Sequence, residues 1–400
     1  MALSIVKTCR VLSNLKPYAA FLCKGRNSSS DLLYSLLRRG LVKQIFPSDQ
    51  TINSTGIPCA YAGFDATADS LHIGNLLVLI SLIHWQRAGY ETIAVVGDAT
   101  AEIGDPSGHK SDRKILFHDT AKTKRCLGKL RIMKNSEWYK NTSIIDFIGE
   151  AGRNLRVTDM LSRTSVRSRM ESGAGINFAE FSYQVFQSYD WMYLLKNYRC
   201  KFQFGGNDQL GNIVSGYNLI SGSLYQHVYG ALLPIVQSET GDKFGKSAGN
   251  AVFLSPERTS PFDFYQFFLR IPDAEVNNYL RLFTFLSIEE IEDILHKHLK
   301  NPDSRKAQKK LLKRLLLLVH GESGLNLAET ATKILFHSDI ESLASLKRED
   351  MKHVFPVSNT SEILFEPEMT LLDLTMKAGC FLKKRKEELL LSVMEVNVFI

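Results

Sequence analysis

The sequence predicts an α/β fold: a doubly wound parallel sheet carrying a helical insertion, followed by an all-α domain. Three observations lead there. Short apolar, β-branched runs at residues 57–64, 92–97, 200–205 and 231–236 are bounded by polar turns, as strands of a parallel sheet buried on both faces are. Helix-period segments lie between these runs, so strand and helix alternate. From Pro261 onward the strand runs stop and only helical patterns remain.

Size and composition agree with that expectation. Four hundred residues imply two or three domains. With 44% hydrophobic and 23% charged residues, the chain can bury a substantial core, and a disordered or fibrous class is excluded. No uninterrupted apolar run is long enough for a bilayer, since residues 311–319 are broken by Lys313 and Arg314. A membrane partner is therefore not expected. Residues 1–30 hold five basic side chains (Lys7, Arg10, Lys16, Lys24, Arg26) and no acidic one, leaving +2 of the total +7 for the remainder. Such a stretch reads as a mitochondrial transit peptide. Any contact with nucleic acid must then be local. Six cysteines stand far apart with no Cys-x-x-Cys pair, which speaks against a structural zinc site or a disulfide framework.

Taken in order, residues 31–44 read as an amphipathic helix. The strand at 57–64 leads through a polar turn with His72 and Gly74 into a helix at 76–87, which Gly89 ends. Such a turn suits phosphate, because a helix start offers unpaired N–H groups and a positive dipole end. Alone, a His-x-Gly turn is equally an ordinary helix start. The run at 92–97 leads to Asp98 and the glycine turn at 104–108. Residues 110–175 are polar and read as mostly helical, without strands, an insertion between two halves of the sheet. A helix follows at 178–196. Segments 261–268, 288–299, 307–320 and 324–336 form the helical part, and residues 301–314 hold six Lys/Arg against one Asp. That cluster is either a solvated helix face or a phosphate-binding one.

Five blocks occur in a fixed order: Gly63-Phe64-Asp65, His72-Ile73-Gly74, residues 104–108, residues 205–209 and Lys243-Phe244-Gly245-Lys246-Ser247. With them, the chain from about residue 31 to 379 resembles a class I aminoacyl-tRNA synthetase, of the tyrosyl type found in bacteria and mitochondria. The resemblance implies a Rossmann-like catalytic domain at 31–258, a helical anticodon-binding domain at 259–355, and at 356–400 a linker with a truncated RNA-binding domain. It implies tyrosine, ATP and tRNA(Tyr) as substrates and a homodimer built largely on the insertion at 110–175. With the leader at 1–30, it places the chain in the mitochondrial matrix. Residues 368–374 resemble the first helix of the family's last domain, but the likeness fades near Cys380, as in a truncated or alternatively spliced product.

Tyrosine's carboxylate is ionised at neutral pH, so its attack on the α-phosphate of ATP needs positioning and positive potential rather than a general base. The resemblance assigns His72 and Thr67 to the γ-phosphate side, and Lys243, Lys246 and Ser247 to a mobile loop over the pyrophosphate. Tyr61 and Asp190 resemble the pair that hydrogen-bonds the tyrosine hydroxyl. Asp105, Tyr183 and Gln187 resemble the groups on its ammonium, with Gln203 and Gln209 completing the pocket. Tyr183, Gln187 and Asp190 fall on one helix face. Gly63, Asp65, Gly74, Asn75, Gly205 and Asp208 resemble the ATP side, Asp208 accepting from the ribose. Mg²⁺ accompanies ATP, and no protein-bound metal is expected. Three positions depart from the family pattern: Asn75 stands for a histidine, Ala62 for a cysteine and His109 for a lysine. A tryptophanyl enzyme, a small nucleotidyltransferase and a non-catalytic RNA-binding scaffold are the alternatives. The Tyr61/Asp190 pair, the trailing helices, and the intact His72, Lys243 and Lys246 respectively speak against them.

Overall fold

A computed structural model describes residues 29–48, 59–67, 70–107, 126–127, 130–173, 175–235, 251–337, 351, 363–364 and 369–378. Residues 1–28 of the leader, His109, the segment with Lys243, Lys246 and Ser247, and the chain end from residue 379 lie outside the described residues. The first half runs α1 (Ser29–Arg39), β1 (Gln44–Phe46), β2 (Cys59–Asp65), α2 (Ile73–Arg87), β3 (Thr92–Gly97), α3 (Asp98–Ile103), β4 (Cys126–Leu127) and β5 (Leu130–Lys134). Then come α4 (Ser136–Tyr139), α5 (Ile144–Ala151), α6 (Val157–Ser162), α7 (Thr164–Glu171), α8 (Phe178–Tyr198), β6 (Cys200–Gly206), α9 (Leu210–Leu224) and β7 (Tyr229–Leu233). The remainder is helical: α10 (Pro261–Leu269), α11 (Asp273–Phe283), α12 (Ile288–Leu299), α13 (Lys306–Val319), α14 (Gly321–His337) and α15 (Leu371–Lys377).

The strands form one sheet in the order β1-β7-β6-β2-β3-β5-β4. The five inner strands are parallel and the two edges antiparallel. From β2 the chain steps outward through β3 to β5, then returns to the other side of β2 as β6 and β7. The reversal between β2 and β6 is the crevice where doubly wound sheets bind ligands, at the carboxyl ends of the strands.

Side-chain alternation along β2 assigns each face. Ala60, Ala62 and Phe64 join the core that contains α1 and α2, whereas Cys59 and Tyr61 join the core that contains α8 and α9. Small residues on the first face let α2 lie close, and its Trp85 packs on Phe202 and Phe204 with ring centroids 4.7 and 5.6 Å away. On the second face α8 and α9 approach at Gly216, where an added Cβ would sit 2.7 Å from the Trp191 ring. Helix α2 is apolar nearly all round because the helical part covers its other side. Buried residues of α10, α11, α13 and α14 belong to the same continuous core as α2.

Three expectations need correction. The helix expected at 31–44 ends at Arg39, because Gly40 takes φ +80° and the chain turns back into β1 beside β7. The insertion was expected to lack strands, yet β5 pairs in parallel with β3 over five residues. Its sequence, Leu-Arg-Ile-Met-Lys, carries two basic side chains that a near-edge strand tolerates and that hide the strand pattern. Helix α11 was not anticipated. Its Asp273, Glu275, Asn277 and Asn278 dilute the apolar stripe.

Candidate active site

A cavity of about 820 Å³ opens at the switch point, within the range of small-molecule sites. Tyr61, Gly63, Asp65, Thr67, His72, Gly74, Asn75, Asp105, Tyr183, Gln187, Asp190, Gln203, Gly205, Asp208 and Gln209 all line it. Strand ends explain the convergence. Tyr61 of β2 is the register partner of Gln203 of β6, and Asp65 is that of Gly97 at the end of β3. Helix α8, capped by Asn177 accepting from the Glu180 N–H at 2.9 Å, supplies Tyr183, Gln187 and Asp190.

One end of the cavity is built around Asp190. Its Oδ1 accepts from Trp138 Nε1 at 2.8 Å and from the Tyr139 hydroxyl at 2.7 Å, and its Oδ2 accepts from Asn135 Nδ2 at 3.2 Å. A carboxylate has about four acceptor sites, so one remains on Oδ2. The Tyr61 hydroxyl is buried with no protein hydrogen-bond partner among the described residues. The oxygens Gln187 Oε1 and Gln203 Oε1 are in the same condition. Burial raises the Asp190 carboxyl from its ordinary value of 3.8 to about 7, while the bonds from Tyr139, Trp138 and Asn135 hold it down. Burial and the nearby Asp190 push the Tyr61 hydroxyl well above its ordinary value, so it stays protonated as a donor.

A directional chain of bonds leads from this end toward the strand tips. Asn135 Oδ1 accepts from the Ala99 N–H at 2.9 Å, which fixes its amide nitrogen as the donor. That nitrogen donates to Thr100 Oγ1 at 2.9 Å as well as to Asp190. Thr100 Oγ1 then donates to Asp65 Oδ1 at 2.9 Å, and the Tyr183 hydroxyl donates to Asp65 Oδ2 at 2.8 Å. Gly97 permits the arrangement: a Cβ there would lie 2.3 Å from Asp65 Oδ1. Asp105 is held separately by Gln209 Nε2 at 2.7 Å and the Ser107 N–H at 2.9 Å, with Asn212 at 3.4 Å. Burial, with Asp65 and Asp105 nearby, keeps Tyr183 protonated. Asp65, assigned to ATP from sequence, thus also holds the ammonium-side tyrosine.

At the other end stands the His72 turn. The expectation of unpaired N–H groups at this helix start is not met. The Ile73 N–H donates to Val252 O at 3.0 Å, the Gly74 N–H to His72 Nδ1 at 3.0 Å, and those of Asn75 and Leu76 to His72 O. Because Nδ1 accepts, the proton of the neutral imidazole sits on Nε2. Asn75 Oδ1 accepts from the His72 N–H at 3.1 Å and completes a capping box. That leaves the Asn75 amide NH₂ for other acceptors. Residues 251–254, which follow the lysine loop, are tied to this turn, since the Leu254 N–H donates to Leu71 O at 2.8 Å.

Sequence reading missed Thr100, Asn135, Trp138, Tyr139 and Asn212. Asn135 immediately follows β5, so recognising that strand would have pointed to it. For Asn212, one turn into α9, no signal stands out.

The geometry therefore defines a switch-point cavity of an α/β sheet with buried, unpartnered polar atoms at one end, the kind of site a class of nucleotide-using enzymes carries. The family model described as tRNA synthetases class I (W and Y) matches residues 54–337. The chain belongs to that family of class I synthetases. Within it the similarity is to tyrosine–tRNA ligases: the mitochondrial enzyme of Drosophila melanogaster is 45% identical over 388 residues, covering 89% of this chain and 84% of the relative. The human mitochondrial enzyme is 40% identical, with 89% of this chain and 81% of the relative covered. A crystal structure of a C-terminally truncated Aspergillus nidulans mitochondrial tyrosyl-tRNA synthetase superposes with a TM-score of 0.68 at 27% identity, over 82% of this chain and all of that one. The chain is a member of the tyrosine–tRNA ligases.

Proposed function

We propose that the cavity binds tyrosine at the Asp190 end and ATP at the His72 end and joins them as tyrosyl-adenylate. The observation carrying this is the buried Tyr61 hydroxyl without a protein partner, beside an Asp190 carboxylate with one acceptor site left. A phenol supplies what both lack. Its O–H donates to Asp190 Oδ2, and its oxygen accepts from Tyr61. Phenylalanine would leave the Tyr61 hydroxyl buried without a partner and the last acceptor site of Asp190 unfilled, a mode of discrimination for which tyrosyl-tRNA synthetases are the standard illustration. At the strand tips the carboxylates Asp65 and Asp105, with Tyr183 and Gln187, suit the ammonium of the amino acid.

In the activation step a tyrosine carboxylate oxygen forms a bond to the α-phosphorus. The bond from that phosphorus to the bridging oxygen breaks, and pyrophosphate leaves. His72, protonated on Nε2, donates toward the developing phosphate charge, with Thr67 beside it and the α2 dipole adding positive potential. Lys243, Lys246 and Ser247 act from their loop, and Asp208 and the Asn75 amide serve the ribose. ATP enters as substrate with Mg²⁺. A ribose hydroxyl at the 3′ end of tRNA(Tyr) then attacks the tyrosyl carbonyl and AMP leaves. The exposed lysines of α13, within the segment 259–355, bind the tRNA.

Two further readings concern setting. Ile144, Ile145, Ile148, Val157, Met170 and Phe178 are exposed on α5 to α8, Phe178 at 79%. Such a patch fits a second copy of this chain, so we assign a homodimer to this face; sedimentation showing only monomer would contradict it. The mitochondrial names of the similar enzymes and the basic leader at 1–30 support action in the mitochondrial matrix. No helix among the described residues is long and apolar enough to cross a membrane. The activity reading is tested by exchange of labelled pyrophosphate into ATP. Exchange dependent on tyrosine supports it; none from the folded protein refutes it.

A further inference from the structure

Residues 282–286, Leu-Phe-Thr-Phe-Leu, close α11 and lead toward α12. Successive residues there reach three different neighbours. Phe283, the last residue of α11, lines the cavity together with Leu77 and Val78 of α2. The carbonyls of Thr284 and Leu286 accept from Arg39 of α1, from Nη2 at 2.5 Å and from Nη1 at 2.6 Å. Phe285 packs on the last turn of α2, with its ring 4.9 Å from that of His84 and 4.8 Å from the Arg87 guanidinium carbon. Thr284 Oγ1 donates back to Leu280 O at 2.6 Å, closing the end of α11.

Arg39 is thus the unusual member. It is a buried cation 247 residues from one of its partners, and it satisfies two carbonyls that follow a helix end and have no helical donor. No carboxylate is bonded to its guanidinium in place of those carbonyls among the described residues. A cation spent this way fixes backbone position, not charge balance. Helix α2 connects the same joint to the His72 turn, fifteen residues long from Ile73 to Arg87.

Building on the assignment of the His72 end to ATP, we propose that residues 283–286 make the helical part a wall of the ATP site, with Phe283 bounding the nucleotide and Arg39 as the residue that positions it. The helical part is then required for the first half-reaction, before any tRNA is present. Its absence or loosening would act on ATP and leave tyrosine alone, because Asp190 is held by Asn135, Trp138 and Tyr139, and none of those bonds involves residues 283–286 or Arg39.

The test is pyrophosphate exchange on the full chain carrying Phe283→Ala, Phe283→Leu, Arg39→Ala or Arg39→Lys. KM for ATP and KM for tyrosine are determined separately, with His72→Ala measured in parallel. Phe283→Ala and Arg39→Ala are expected to raise KM for ATP roughly tenfold, the scale of trimming an apolar wall from a pocket, while KM for tyrosine holds. Phe283→Leu and Arg39→Lys, which keep bulk or one donated bond, recover part of the loss and decide the matter if the alanine variants fail to fold. KM for ATP unchanged in both conservative and alanine variants overturns the proposal, as do the two KM values rising in step. If His72→Ala also leaves ATP use intact, the assignment of this end to ATP falls with it. If His72→Ala impairs exchange and the joint variants do not, the joint proposal alone falls.

Discussion

Asn135 shows how one side chain can set the chemistry of several others. It is fully buried, and its amide satisfies Ala99, Thr100 and Asp190 at once. Replacing it by alanine strips Asp190 Oδ2 of its one protein donor, a loss worth about 1–3 kcal/mol, while the Ala99 N–H keeps Asp98 and the Thr100 hydroxyl keeps Asp65. Asn135→Ala should therefore lower kcat/KM for tyrosine in pyrophosphate exchange by about tenfold or more, and steady-state kinetics with both substrates varied would show it. An unchanged value would remove Asn135 from the positioning of Asp190. The Asp190 carboxyl makes a second prediction. Its value near 7 exceeds the ordinary 3.8, so the folded protein holds a proton there that the unfolded chain releases. Its contribution to stability is full below about pH 4 and is lost as pH rises through about 7. The tyrosine O–H needs the ionised form, so KM for tyrosine should fall as pH rises toward 7 and level off above it. A profile flat from pH 6 to 8 would show that this carboxyl is not the titrating group.

At the scale of elements, α8 is the organising piece. Its first turn carries Glu180, paired at 2.8 Å with Arg169 of α7, both buried; its middle carries Tyr183, Gln187 and Asp190. Removing one partner of a buried ion pair costs about 3–5 kcal/mol, because the other charge stays behind uncompensated. Arg169→Ala should lower the unfolding free energy by that order in denaturant titrations, and a loss below about 1 kcal/mol would show that the pair is dispensable. Much of this element could be seen in the sequence. The helix expected at 178–196 is observed at Phe178–Tyr198, and the spacing of its three polar residues puts them on one face. The strands at 57–64, 92–97 and 200–205 were legible for a similar reason, since long apolar runs leave little alternative. Strand β5 was not legible, because near an edge its two basic residues cost nothing. Neither were Trp138 and Tyr139, whose role depends on the packing of a four-residue helix against α8. At the start of α2 the Ile73 N–H is taken by Val252, far along the chain, which could not be read locally, whereas those of Gly74, Asn75 and Leu76 are taken by His72 itself.

For the whole molecule, one face of the sheet, α2 and helices α10, α11, α13 and α14 share one continuous apolar core, so catalytic and helical parts are mechanically joined. The same architecture leaves a cationic surface. Lys306, Lys309, Lys310 and Lys313 are exposed on α13, whose opposite side buries Ala307, Leu311, Leu312 and Leu315. Neutralising Lys309, Lys310 and Lys313 together should weaken tRNA(Tyr) binding and lower the magnitude of its log–log salt slope by about one unit for each phosphate left without its lysine. Filter binding across a salt series would measure it. An unaltered slope would leave these lysines as solvated charges.

The central claim is that Tyr61 and Asp190 read the hydroxyl of the amino acid. Its most direct test is the ratio of kcat/KM for tyrosine to that for phenylalanine in pyrophosphate exchange, for the unaltered chain and for Tyr61→Phe. The account predicts that Tyr61→Phe lowers the ratio by about tenfold or more, since one of the two hydrogen bonds to the phenol is gone and phenylalanine no longer strands a buried hydroxyl. An unchanged ratio, with tyrosine still used well, would contradict it and assign the discrimination to other residues of the cavity.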